Sequence, residues 1–164
     1  MKNDIFAKVD HILAFLLKWL SVFCMVILFL LIGAGVFVRF VPISSMGWAD
    51  EIVELGFAWM VFLGSTVLWR ENSHFSVDLI PGKLSGTRAG NVLNIFLDLL
   101  SILFLLILSY EGWLLALSVE DRSPILALPK ILWYITVPVC STIMFIYTVR
   151  DTVRLVRKRS PAEQ

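Results

Sequence analysis

KWLSVFCMVILFLLIGAGVFVR, residues 18 to 39, decides the fold, because no charged residue occurs between Lys18 and Arg39. A helix rises ~1.5 Å per residue, so this run is about 31 Å long, close to the ~30 Å hydrocarbon thickness of a bilayer. It exceeds the roughly 7–15 apolar residues of a secretion signal, and no small-residue cleavage site follows it. An uncleaved signal anchor is therefore expected.

Working outward, three more apolar runs appear. One goes from Ile52 to Trp69, with Glu51 and Glu54 at its start and Arg70 at its end. Another spans Val92 to Leu117 and is interrupted by Asp98 and Glu111; the last lies between Lys130 and Arg150. The reading is an all-α integral membrane protein with four transmembrane helices, over about 12–38, 49–69, 92–117 and 130–149. Residues 1–164 form a single membrane domain that ends in a basic tail over 150–164.

Composition agrees: 59% of residues are hydrophobic and 16% charged, against about 25% charged in ordinary soluble domains. Mean hydropathy is +0.85. A net charge of +1 points to no nucleic-acid partner; the lipid bilayer is the partner that composition implies. The two cysteines, Cys24 and Cys140, each lie inside an apolar run and read as small packing residues.

Orientation follows from Lys and Arg in the flanks. Eleven of the 14 belong to one side: Lys2, Lys8 and Lys18; Arg70, Lys83 and Arg88; Arg150, Arg154, Arg157, Lys158 and Arg159. Only Arg39, Arg122 and Lys130 belong to the other. Both termini and the connection between spans two and three are thus expected in the cytoplasm. In that connection, Phe75, Val77, Leu79 and Ile80 precede Pro81-Gly82 and suit a short amphipathic segment on the membrane surface. Trp19, Trp69 and Tyr147 fall near the inner boundary, and Trp48, Trp113, Trp133 and Tyr134 near the outer one. Trp59 is midway along span two, where it either faces lipid or makes a helix contact. Pro129 is placed to open span four, and Pro138 inside it frees the Tyr134 carbonyl and predicts a kink.

Charged groups near or within the spans are the candidate functional residues. Asp98 and Glu111 are ~20 Å apart on a helix, so at least one lies within the hydrocarbon and needs a partner, either from this bundle or from another protein. Glu51 and Glu54 share a helix face at the start of span two. They either satisfy the helix dipole or pair with a basic residue, Arg39 being the nearest. Gly64-Ser65-Thr66 and Gly33-Ala34-Gly35 would admit a neighbouring helix closely. No catalytic motif, nucleotide-binding loop or metal-ligand spacing occurs, so neither an enzyme nor a resident cofactor is expected. His11 and His74 both map to cytoplasmic flanks, which argues against haem between the spans.

The segment WADEIVELGFAWMVFLGSTVLWRENSHFSVDLIP, residues 48 to 81, resembles a known family. It is similar to the small membrane subunit, the DctQ-like or Q component, of tripartite ATP-independent periplasmic (TRAP) transporters. Trp48, Glu51, Glu54, Trp59, Phe62-Leu63-Gly64, Arg70-Glu71, His74 and Val77-Asp78 carry the resemblance. Arg39 and the Ser-Pro, Leu-Pro, Tyr and Pro order of SPILALPKILWYITVP, residues 123 to 138, extend it. The resemblance implies a multi-pass subunit of the bacterial inner membrane. It would pack beside a large membrane subunit that takes up an organic acid from a periplasmic substrate-binding protein, driven by sodium. Sodium coupling and the substrate site would belong to the large subunit. Arg39, Glu51, Glu54, Trp59, Arg70, His74, Asp98 and Glu111 are then candidate interface or structural polar residues. The competing reading is a self-sufficient proton-coupled carrier acting as a homodimer, which needs an acid facing a cavity.

Overall fold

In the computed structural model, residues 2–41, 46–71 and 88–159 are described. They form helices α1 (Lys2–Phe40), α2 (Gly47–Arg70), α3 (Arg88–Ser118), α4 (Ile131–Tyr134) and α5 (Thr136–Arg159), and no named strand occurs among them. The stretches Asp10–Phe40, Gly47–Arg70, Phe96–Ser118 and Ile131–Val153 are long and apolar enough to cross a membrane. Four such helices were expected, and α1 begins at Lys2, ten residues before the expected start of the first span at about residue 12. The expected surface segment around Phe75–Ile80 lies outside the described residues.

The helices pack as a row. α1 lies against α2, α2 against α5, and α5 against α3. Leu17, Leu63 and Cys140, one from each of α1, α2 and α5, form the buried centre of this row, with Leu13, Trp59, Phe62 and Ile143 around it. Outside it the bundle is open: Phe29 is 76% exposed and Leu117 70%. Such large exposed apolar faces are the mark of a protein whose solvent is lipid or a neighbouring subunit.

Small residues set the close approaches. Gly64 lies under Ser21, whose hydroxyl donates to the Met60 carbonyl at 3.3 Å. Gly33 and Gly35, by contrast, have no atom near the position a Cβ would take. Gly112 is the tightest point: a Cβ there would meet Pro138 Cδ at 3.2 Å and its nitrogen at 3.3 Å. α3 therefore crosses α5 at its proline.

That proline explains why the fourth span is split. Pro138 has no N–H for the Tyr134 carbonyl, and the helical ladder breaks at Ile135 between α4 and α5. Ile135 stays right-handed helical, with φ −67° and ψ −18°, so the two pieces follow one another without a turn. The span begins at Ile131 rather than at Pro129, whose carbonyl accepts the Leu132 N–H at 3.1 Å.

Candidate functional site

The two ends of the bundle are each tied by a different polar cluster, and the sequence order of the helices dictates which residues meet there. Four alternating spans bring the starts of α1 and α3 to one end together with the finishes of α2 and α5. The finishes of α1 and α3, the start of α2 and the α3–α4 connection share the other.

At the first end Asp10 of α1 reaches two arginines. Arg70 Nη2 donates to its Oδ2 at 2.8 Å and Arg70 Nε to its Oδ1 at 3.3 Å. Arg150 Nη1 reaches the same Oδ1 at 3.3 Å, while its Nε holds Asp151 at 2.9 Å. The Arg150 guanidinium also lies 4.8 Å from the centre of the buried Tyr147 ring. Directly beside this cluster, Trp69 Nε1 donates to Thr148 Oγ1 at 2.8 Å. The fork of Arg70 matches the carboxylate two-pronged, the geometry that makes such pairs directional. α1, α2 and α5 are thereby locked in register at this end.

At the other end Glu51 is buried, and its carboxylate holds the α3–α4 connection. Ser123 Oγ donates to Oε2 at 2.7 Å, the Leu126 N–H to Oε2 at 2.9 Å and the Ile125 N–H to Oε1 at 2.8 Å. Ser123 Oγ accepts the Leu128 N–H at 3.1 Å, and the Ser123 N–H donates to the Leu128 carbonyl at 2.8 Å. The connection closes as a hairpin, with a bridge between Arg122 and Pro129. Ala127 turns it at φ 52°, a left-handed conformation that residues with a Cβ adopt rarely. A carboxylate receiving converging N–H groups from a turn is a charge-assisted latch.

Between the ends, Trp59 Nε1 donates to the Leu132 carbonyl at 3.1 Å, and Thr136 Oγ1 to the Trp133 carbonyl at 2.6 Å. These two carbonyls stand just before the proline break. Trp59 therefore makes a helix contact, and it supplies a donor where a regular ladder is disturbed. On the far side of α5, Ser109 and Thr142 hydroxyls lie 2.7 Å apart, and Trp113 Nε1 reaches Thr142 at 3.4 Å.

Of the candidate residues, Glu51, Trp59 and Arg70 are thus part of contacts between elements. Arg39 and Glu54 are exposed, and among the described residues no ion pair joins either Glu51 or Glu54 to Arg39. Glu51 takes loop donors instead. Asp98 is half-buried on α3 and Glu111 is exposed further along it. His74 lies outside the described residues. Asp10, Ser123 and Arg150 were not singled out as site residues, although Arg150 and Lys8 marked this end as basic. Cys24 and Cys140 are both free, Cys140 being fully buried.

A cavity of about 330 Å³ opens between α1 and α2, lined by Leu20, Phe23, Cys24, Ile27, Leu55 and Trp59 among others. Its walls carry no acid or base. Among the described residues no group of three or more His, Cys, Asp or Glu side chains is arranged to hold a metal ion.

Comparison with known proteins agrees with the bundle. The chain is 28% identical over 124 residues to a protein of Haemophilus influenzae named as a TRAP transporter small permease, covering 73% of this chain and 76% of that one. Residues 28–158 match the family of tripartite ATP-independent periplasmic transporters, DctQ component. That match takes in the last third of α1, the three later spans, the Glu51 latch and Arg150. The chain belongs to the DctQ family of TRAP transporter small permease subunits.

Proposed function

We propose that this chain supports a large membrane subunit in the sodium-gradient-driven uptake of an organic acid delivered by a periplasmic binding protein. Its membership of the DctQ family carries the reading. The distribution of polar groups supports it. Ser21, Thr66, Ser109 and Thr142 each use their hydroxyls in bonds within or between helices. Substrate and sodium then belong to the partner, and this chain acts as a membrane scaffold beside it.

In this reading the protein is a multi-pass component of the bacterial inner membrane. The end bearing Asp10, Arg70 and Arg150 faces the cytoplasm, because it gathers the basic flanks. The Glu51 latch then faces the periplasm, where the hairpin of residues 118–130 is placed to meet the binding protein. A homodimeric proton-coupled carrier is the poorer fit. The cavity between α1 and α2 has apolar walls, and Glu51 is committed to three donors.

The test is deletion of this chain in cells that still accumulate the large subunit. Loss of sodium-dependent uptake, restored by supplying the chain in trans, is the expected result. Full uptake without it would contradict the proposal. Transport by the purified chain alone in lipid vesicles would establish the carrier reading instead.

A further inference from the structure

α1 and α3 stand at the two ends of the row, and their exposed faces differ in charge. Between Lys18 and Arg39, α1 presents apolar side chains only. That face suits lipid. α3 presents Leu100, Phe104, Ile107 and Leu115, each more than half exposed, and among them Glu111, also exposed. Spacings of three and four residues set Phe104, Ile107, Glu111 and Leu115 along one stripe of the helix.

Glu111 lies within the third span, one residue from the crossing of α3 with Pro138 and on the inner side of Trp113. Its neighbour Gly112 lies against Pro138, with 3.2 Å between an added Cβ and Pro138 Cδ. Pro138 follows Lys130 by eight residues, so it lies about 12 Å along the span from the charged end. In a hydrocarbon layer of roughly 30 Å, that is well inside. Arg39 ends α1 and Glu54 is one turn beyond the Glu51 latch, so both remain close to water. Glu111 alone combines depth with exposure among these acids and bases. Among the described residues no hydrogen bond or ion pair reaches it. A carboxylate facing hydrocarbon there is strongly disfavoured, and such groups pair with a donor inside a bundle. The bundle that supplies the donor is larger than this chain.

We propose that the α3 stripe centred on Glu111 is the seat of a transmembrane helix of the large subunit, which presents a basic side chain to the carboxylate. This rests on the reading that the chain works beside a large membrane subunit. Charge complementarity selects the occupant: lipid tails offer no donor at this depth. A second copy of this chain would have to bring a basic residue there, and Arg39, Arg122 and Lys130 all lie at the bundle's end. The apolar flanks, Phe104 and Ile107 on one side and Leu115 on the other, would exclude lipid and water from the pair. α1 would remain the lipid-facing edge.

The experiment places a photo-crosslinking amino acid at Phe104, Ile107 or Leu115, with Phe29 on α1 as the control, in the complete transporter in its native membrane. Illumination is expected to give an adduct with the mass of the large subunit from the α3 positions and not from Phe29. Glu111→Lys is expected to lower the Ile107 adduct by more than about tenfold, since it opposes like charges in a buried pair. Glu111→Gln, a smaller change, is expected to lower it less and covers the case in which the lysine variant fails to accumulate. Adducts confined to Phe29, to lipid or to a second copy of this chain would overturn the assignment, as would adducts unaffected by both substitutions. Co-purification of the unmodified complex separates the two levels of inference. If the large subunit does not accompany the wild-type chain, the functional reading fails. If it does and the α3 positions stay silent, only this face is wrong.

Discussion

Replacing Asp10 by alanine removes a carboxylate that two guanidinium groups share. The structure shows three contacts within reach: 2.8 and 3.3 Å to Arg70 and 3.3 Å to Arg150. Buried hydrogen bonds between charged groups contribute about 1.5–3 kcal/mol each. These three are not independent, and the side chains are 27%, 25% and 29% exposed for Asp10, Arg70 and Arg150. Solvent screening therefore reduces the total. A loss of about 3 kcal/mol results, part of it the repulsion left between Arg70 and Arg150. For a chain of this size that corresponds to a fall of about 6–12 °C in thermal midpoint. The assay is thermal unfolding of the purified protein in detergent, followed by tryptophan fluorescence, with Arg70→Ala and the double variant completing a cycle. A coupling of about 2 kcal/mol between Asp10 and Arg70 is expected. A fall under about 2 °C, or a coupling below about 0.5 kcal/mol, would refute the claim that this cluster holds α1 to the rest of the row.

Three further outcomes follow from the geometry. Glu51→Gln should speed deuterium exchange at the Ile125 and Leu126 amides by about tenfold or more, because their charged acceptor is lost. Unchanged exchange would show that the hairpin holds its own shape without the latch. Gly112→Ala should be close to neutral, since a few tenths of an ångström of crowding against Pro138 offset the gain of about 1 kcal/mol in helix propensity. Gly112→Leu should cost about 1–3 kcal/mol by overpacking, and equal thermal midpoints for both variants would contradict the close crossing. Trp59→Phe keeps an aromatic ring but removes the donor to Leu132, so a loss of about 1 kcal/mol or more is expected. Stability matching the wild type would mean that the proline break needs no donor from α2.

The spans were legible because a bilayer imposes a length and a polarity on every helix that crosses it, and the run from Lys18 to Arg39 satisfies both. The alternation of basic flanks also grouped Lys8, Arg70 and Arg150 at one end, where the structure places them. Partner choice was not legible. Glu51 looked toward Arg39 because opposite charges are visible in a sequence, whereas backbone N–H groups are not. Its actual partners are more than 70 positions away, presented by a turn that depends on the left-handed conformation of Ala127. Asp10 escaped notice because a carboxylate among basic flanking residues reads as ordinary surface charge. Its meaning comes from the register between α1, α2 and α5. Trp59 stood out by its depth and by its place in the family pattern. Its role required knowing that α2 lies against the broken start of the fourth span. Glu111 was recognisable as a residue in need of a partner, and the structure narrows the source of that partner by leaving its side chain on an outer face.

The most direct test of the account is purification of the tagged chain from its native membrane in mild detergent, followed by mass spectrometry of the intact assembly. A stable complex with a large polytopic membrane protein in fixed stoichiometry is expected, recovered whether the tag is on this chain or on its partner. A homodimer of this chain with no such partner, under conditions that preserve other membrane complexes, would contradict it.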